Sequence, residues 1–159
     1  MSDSLFTVDQ NADSAANSRT SPARTDRGLP GISLTGSFRF RAGQYTFLRK
    51  LASALDTGAS HHLGVFVPGY GKTITALSSY VIARALGVAQ RLVIFVPRGN
   101  LRDQYADRDE LAALFTNIGA GSVSFSVADS EQVFLKNLET EIIVTTYQYA
   151  SGEGGAAAL

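Results

Sequence analysis

The residues best suited to do chemistry are the run Pro68-Gly69-Tyr70-Gly71-Lys72-Thr73, which follows an apolar segment and precedes a helix-like pattern. Gly69 and Gly71 allow the backbone to curl around an anion with no side chain in the way. The unbonded N–H groups of a first helical turn and the helix dipole both favour a negatively charged ligand. Lys72 can place its ammonium against β and γ phosphates, and Thr73 can offer its hydroxyl to Mg²⁺. The run therefore predicts a site for a nucleoside triphosphate with Mg²⁺.

One residue departs from the full phosphate-loop pattern, G-x-x-x-x-G-K-[ST]. That pattern would place a glycine at position 66, where Phe66 stands. The core Gly-x-Gly-Lys-Thr is intact and lies between a predicted strand and a predicted helix, which is the context that the pattern requires. A plain turn before a helix is the alternative interpretation.

Composition limits the classes of protein that the chain can represent. Its 159 residues, 45% of them hydrophobic, are enough for one globular domain with a core. The formal net charge is zero, so a nucleic-acid partner has to be argued from local patches. The absence of cysteine excludes disulfides and thiolate metal sites. No apolar stretch reaches the roughly 18 residues of a membrane span, and the first residues lack a secretory pattern, so we expect a cytoplasmic protein without a membrane partner.

The elements around the loop follow from the spacing of apolar residues. Residues 1–36 are polar and aperiodic, which predicts a disordered tail. From Phe38 onward the periodicity predicts helices at 43–56, at 72–86, between Leu101 and Phe115 with a break near Asp107, and at 131–138, with strands at 63–67, 91–96, 122–127 and 141–146. This alternation favours an α/β fold, a parallel sheet with helices on both faces.

The run Val67–Thr73 resembles motif I of superfamily 2 helicases and translocases of the DEAD/DEAH type, a family that accepts a non-glycine at the position of Phe66. Upstream, Phe40–Gln44 resembles the Arg-x-x-Gln element of that family. The resemblance implies a RecA-like P-loop fold over residues 37–159. It also implies ATP as the nucleotide, held by the loop from Pro68 to Thr73 (Tyr70 included), with Gln44 reading the adenine edge through its amide.

Two further segments resemble family motifs that contact the backbone of DNA or RNA. Leu92–Gln104 is similar to motif Ia, and Ile142–Gln148 is similar to motif Ib. The resemblance implies phosphate contacts from Arg98 and from the N–H groups that begin at Gly99. It implies further contacts from the hydroxyls of two neighbouring threonines, Thr145 and Thr146.

The carboxylates that would drive ATP hydrolysis are not evident. The family uses an Asp-Glu pair at the end of a later strand, where Asp holds Mg²⁺ and Glu positions water. Asp109 and Glu110 follow charged residues rather than a strand, and Asp129 is followed by Ser130. We therefore expect the front portion of a motor that binds ATP, with the missing remainder of the motor as its partner in hydrolysis.

Two alternatives stay open at this point. The chain can be another P-loop ATPase or a nucleotide kinase in which Asp129 serves the metal, or a nucleotide-binding module without catalysis. Loss of activity on mutation of Asp129, with Gln44 dispensable, would favour the kinase.

Overall fold

The computed structural model describes residues 28–59, 61–103, 105 and 108–150, together with the backbone of a short strand at residues 4–5. The chain divides into two compact units. Unit 1 comprises Met1–Ala89 with Asn117–Ala120, and unit 2 comprises Gln90–Thr116 with Gly121–Leu159. Most of the predicted tail lies outside the described residues. None of the described helices is both long and apolar enough to cross a membrane.

Unit 1 is built on two packed helices, α1 (Ala42–Asp56) and α2 (Lys72–Ala85), with strand β1 (Ser4–Leu5) pairing in parallel with β2 (His62–Leu63). The apolar stripe of α1 that the sequence predicts faces inward. The core of unit 1 consists of Leu29, Phe47, Leu48, Leu51 and Ile82. Both helices end where glycines with positive φ follow, Gly58 at 83° and Gly87 at 72°.

The last nine residues of the predicted tail belong to unit 1. Leu29 is buried in its core, and the N–H groups of Ser33 and Thr35 donate to the carbonyls of Ile118 and Asn117 at 3.0 and 3.1 Å. Within the segment whose composition predicts a disordered tail, residues 28–36 are thus held by apolar contacts of Leu29 and Ile32 and by backbone hydrogen bonds.

The strand predicted before the phosphate loop is shorter than expected. The ladder ends at Leu63, although the prediction extended it to residue 67. Val65 and Val67 are 52% and 48% exposed, and Phe66 packs against the core of unit 1. An uninterrupted apolar run is typical of a buried strand, whereas only one of the alternating sides of this run is covered.

Unit 2 contains a three-stranded parallel sheet in the order β3-β5-β4, with β3 at Leu92–Val96, β4 at Phe125–Val127 and β5 at Ile142–Thr146. The central strand β5 is buried along its whole length, as expected for a strand inside a parallel sheet. Its helices are α3 (Gly99–Asp103), α4 (Arg108–Asn117, whose last residue joins unit 1), α5 (Glu131–Lys136) and α6 (Tyr147–Ala150). The α/β class with a parallel sheet is confirmed.

Two local features of unit 2 were also predicted. The segment expected to form a broken helix forms α3 and α4, although Asp107 itself lies outside the described residues. The helix predicted at 131–138 forms α5 over Glu131–Lys136, and the hydroxyl of its N-cap residue, Ser130, accepts from the N–H of Val133 at 3.3 Å. Phe134 of this helix packs with Ala128 and Ile143 to form the core beside β5.

Candidate nucleotide site and nucleic-acid edge

The phosphate loop adopts the backbone conformation that its glycines predict. Gly69 and Gly71 have φ of 75° and 86°, in the left-handed region that favours glycine. Gly71 is the N-cap of α2, so Lys72 occupies the first helical position. Its side chain is exposed, and that of Thr73 is half-buried. This arrangement turns the N-terminus of a 14-residue helix into a concave backbone segment suited to an anion.

Tyr70, the residue between the two glycines, packs the phosphate loop against other residues of unit 1. Its ring stacks on Phe66 with centroids 5.6 Å apart, and the Arg41 guanidinium lies over it at 5.1 Å. Phe66 in turn meets Phe47 of α1 edge to face at 5.4 Å. The residue that replaces the expected glycine is thus part of the packing that holds the loop.

Gln44 lies directly behind the loop and is buried, with 3% of its surface exposed. Its Oε1 accepts from the N–H of Arg41 at 2.9 Å, which closes half of a capping box at the start of α1. Its Nε2 donates to the carbonyls of Tyr70 and Gly71 at 3.0 and 3.1 Å and to Thr75 Oγ1 at 3.1 Å. Gln44 is thus hydrogen-bonded to the loop itself, a contact that the sequence did not predict; its contact with adenine stays a prediction.

Sequence reasoning missed two residues of this site. Thr75 is 2% exposed, and its hydroxyl donates to the Gly71 carbonyl at 2.9 Å. Arg41 belongs to the Arg-x-x-Gln element, and its Nη1 donates to the Gly69 carbonyl at 3.0 Å, a contact that the sequence did not indicate. The available signal for Thr75 was a hydroxyl on the apolar face of α2, two residues after Thr73.

In unit 2, the segments that resemble motifs Ia and Ib meet at the carboxyl edge of the sheet. Val96 and Thr146 are paired in register, so Arg98 and Gly99 lie just beyond the end of β3, beside the end of β5. Arg98 is exposed, and its carbonyl accepts from the N–H groups of Leu101 and Arg102 at 3.1 and 3.3 Å.

A second arginine at this edge, Arg102, is already hydrogen-bonded to a carboxylate. Arg102 donates twice to Asp103 Oδ1, at 2.9 Å from Nε and 2.7 Å from Nη2. This hydrogen bonding to the carboxylate raises the pKa of Arg102 above its ordinary value. The side chain of Arg98, by contrast, is exposed, and its contact with a phosphate stays a prediction.

The two threonines of this edge are less accessible than their predicted role requires. Thr145 and Thr146 are 0% and 3% exposed, and neither hydroxyl has a hydrogen-bond partner in the described part of the chain. Tyr147, which follows them, is 58% exposed and stacks on Phe95 at 5.6 Å. Donation from Thr145 and Thr146 to nucleic-acid phosphates stays a prediction.

The remaining carboxylates do not form a metal site within the described residues, where no group of three or more His, Cys, Asp or Glu side chains is found. Asp109 and Glu110 are exposed in the first turn of α4, where acids complement the helix dipole. Asp129 is exposed immediately before the N-cap of α5.

The sequence of the chain also matches the model of a known protein family. The family model described as the type III restriction enzyme, res subunit (ResIII), matches residues 37–155, more than half of the chain. No curated protein and no solved structure matches the chain. The matched span contains the phosphate loop, Gln44 and the segments at both strand ends. The chain therefore belongs to the ResIII family, and it contains a helicase-like ATPase domain of superfamily 2.

Proposed function

We propose that the chain binds ATP with Mg²⁺ at the phosphate loop, as the front portion of a motor that moves along DNA or RNA. The observation that supports ATP binding most directly is the pair of left-handed glycines, Gly69 and Gly71, at the start of α2. Family membership favours this function over a nucleotide kinase that uses Asp129.

In this proposal each loop residue has a separate task. The backbone N–H groups of Gly71 and Lys72, at the start of α2, bind the phosphates, and the Lys72 ammonium compensates the charge of the β and γ groups. The Thr73 hydroxyl contributes a ligand to Mg²⁺, which when bound screens the phosphate charge further. Pro68 and Tyr70 fix the entry to the loop, and Gln44 recognises adenine.

The nucleic acid would lie along the carboxyl edge of the sheet in unit 2. The Arg98 side chain and the N–H group of Gly99 would contact phosphates, with Thr145 and Thr146 as further donors. Such contacts carry no sequence information, which suits a motor that moves along any strand. Hydrolysis would use carboxylates from the remainder of the motor, because none of the described Asp and Glu residues has the required position.

ATP binding is tested by Lys72→Ala, with the charge-matched Lys136→Ala on the exposed face of α5 as control. The affinity for ATP with Mg²⁺ is measured by calorimetry for the wild type and both variants. Loss of a charge-assisted contact predicts binding weaker by roughly ten- to a hundredfold for Lys72→Ala alone. An unaltered affinity in Lys72→Ala would show that the phosphate-loop proposal is wrong.

A further inference from the structure

The carbonyl oxygen of Gly71 is the point where several hydrogen bonds converge. It accepts from Gln44 Nε2 at 3.1 Å, from Thr75 Oγ1 at 2.9 Å and from the N–H of Thr75 at 3.1 Å. Gln44 Nε2 also donates to Thr75 Oγ1 and to the carbonyl of Tyr70. Both side chains are more than nine-tenths buried. Two side chains 31 residues apart thus form one hydrogen-bonded group behind the loop.

We propose that Thr75 and Gln44 are positioning residues that set the direction of the anion-binding N–H groups in the phosphate loop. The inference rests on the proposed binding of ATP, and it gives Gln44 a role independent of the adenine base. It also gives a role to Thr75, which touches no ligand and acts through the Gly71 peptide.

The physical reason is the geometry of the peptide bond. In a trans peptide the C=O and the following N–H point in opposite directions, and every peptide described here is trans. The carbonyls of Tyr70 and Gly71 are both held toward Gln44. The N–H groups of Gly71 and Lys72 must therefore point away from Gln44, toward the outer side of the loop. Consecutive N–H groups aimed in one direction form a concave site for a phosphate.

Thr75 completes this arrangement because it is hydrogen-bonded both to the Gly71 carbonyl and to the Gln44 amide. Its hydroxyl hydrogen is directed to the Gly71 carbonyl, and its oxygen accepts from the Gln44 amide. Thr75→Val keeps the shape of the side chain and removes both hydrogen bonds. The Gly71 peptide then loses one donor, and the amide of Gln44 loses one of its three acceptors. Rotation of that peptide would turn the Lys72 N–H away from the phosphate.

The test compares two ligands that share phosphates and differ in the base, ATP and inorganic tripolyphosphate, each with Mg²⁺. The full chain is used as wild type, Thr75→Val, Thr75→Ser and Ser78→Ala. Ser78 is the matched control, since it is a buried hydroxyl on the same helix that donates to Ile74 instead of to the loop. We expect Thr75→Val to weaken both ligands by roughly tenfold. Thr75→Ser restores binding, and Ser78→Ala leaves it unchanged.

A second variant covers the case in which Thr75→Val fails to fold. Gln44→Met removes the amide and keeps the length of the side chain. Substitution of a residue that only reads adenine would weaken the binding of ATP and leave that of tripolyphosphate unaltered, whereas substitution of a positioning residue weakens the binding of tripolyphosphate as well. Thermal unfolding of each variant verifies that the folded state is compared.

The outcomes separate this inference from the function on which it rests. A wild-type chain that binds neither ligand would overturn the proposed function. Binding that is lost in Lys72→Ala and retained in full by Thr75→Val and Gln44→Met would overturn the positioning role alone. An effect of Gln44→Met on ATP without an effect on tripolyphosphate would also contradict it.

Discussion

The ring of Phe66 lies 5.6 Å from that of Tyr70 and nearly parallel to it, with an interplanar angle of 22°. Phe66 occupies the position where a full phosphate-loop pattern has glycine. Its ring joins the loop to α1 through the edge-to-face contact with Phe47. The absent glycine is therefore no defect of the loop, because the aromatic residue supplies packing that glycine lacks.

Phe66→Gly restores the consensus pattern, yet we expect it to harm the protein. It removes a half-buried ring with two aromatic contacts and adds backbone entropy to the unfolded chain, which together should lower the free energy of unfolding by about 3 kcal/mol. Chemical denaturation measures the change. Phe66→Leu, which keeps apolar volume, should lose less than half as much, and an equal loss in both variants would contradict the role of the ring.

The two glycines of the loop should differ in their tolerance of a methyl group. Alanine at either position meets the strain of a positive φ, about 1 kcal/mol. A Cβ at Gly69 meets open space, whereas one at Gly71 would lie 2.6 Å from Gln44 Nε2 and 3.3 Å from Ile74 Cγ2. Gly71→Ala should therefore lower the free energy of unfolding by at least about 2 kcal/mol, and Gly69→Ala by about half that amount.

Gly58→Ala provides the control for the loop glycines. Its φ is 83° and its Cβ position is also open, but it lies at the end of α1, where no phosphate is expected. Chemical denaturation of Gly58→Ala should show only the decrease in the free energy of unfolding that the positive φ causes. The affinity of this variant for the nucleotide should be unchanged. Equal destabilisation by Gly69→Ala and Gly71→Ala would show that the contact with Gln44 does not constrain the loop.

The parts of the fold that the sequence predicted well are those with local causes. Helices α1 and α2 follow from apolar spacing, and each ends two residues before a glycine, Gly58 and Gly87. Strands β3 and β5 follow from β-branched runs. The strand expected to reach residue 67 was overestimated because a ladder depends on a partner strand distant in sequence, which periodicity does not reveal.

In the candidate site, too, the features with local causes were predictable from the sequence, and those that depend on distant contacts were not. The glycine conformations of the loop were predictable, since they depend on a local backbone requirement. The contacts of Gln44 and Arg41 with the loop bridge 26 to 28 residues, and no local pattern in the sequence indicates them. The burial of Thr145 was not predictable either, because five β-branched residues in a row fit a strand covered on one face or on both.

Thr145→Val should leave the free energy of unfolding unchanged or raise it by about 1 kcal/mol. The Thr145 hydroxyl is fully buried without a partner in the described part of the chain, so its desolvation is uncompensated, and valine has the same shape. Thr75→Val is the contrasting variant, because that buried hydroxyl is bonded at both ends and its loss should cost about 1 kcal/mol. Destabilisation by Thr145→Val equal to that by Thr75→Val would mean that the Thr145 hydroxyl has a partner.

Arg98→Ala should weaken binding of single-stranded oligonucleotides by roughly tenfold at low salt, to a similar degree for every sequence. Loss of one phosphate contact should also reduce the slope of log affinity against log salt by about one. Arg91 is the matched control, because it precedes the same strand at its opposite end, where it donates to the Leu138 carbonyl and pairs with Glu139 at 3.7 Å. Fluorescence anisotropy over a salt series measures both quantities. Equal losses in Arg98→Ala and Arg91→Ala would indicate binding through overall charge, and the carboxyl edge of the sheet would then have no special role in holding the strand.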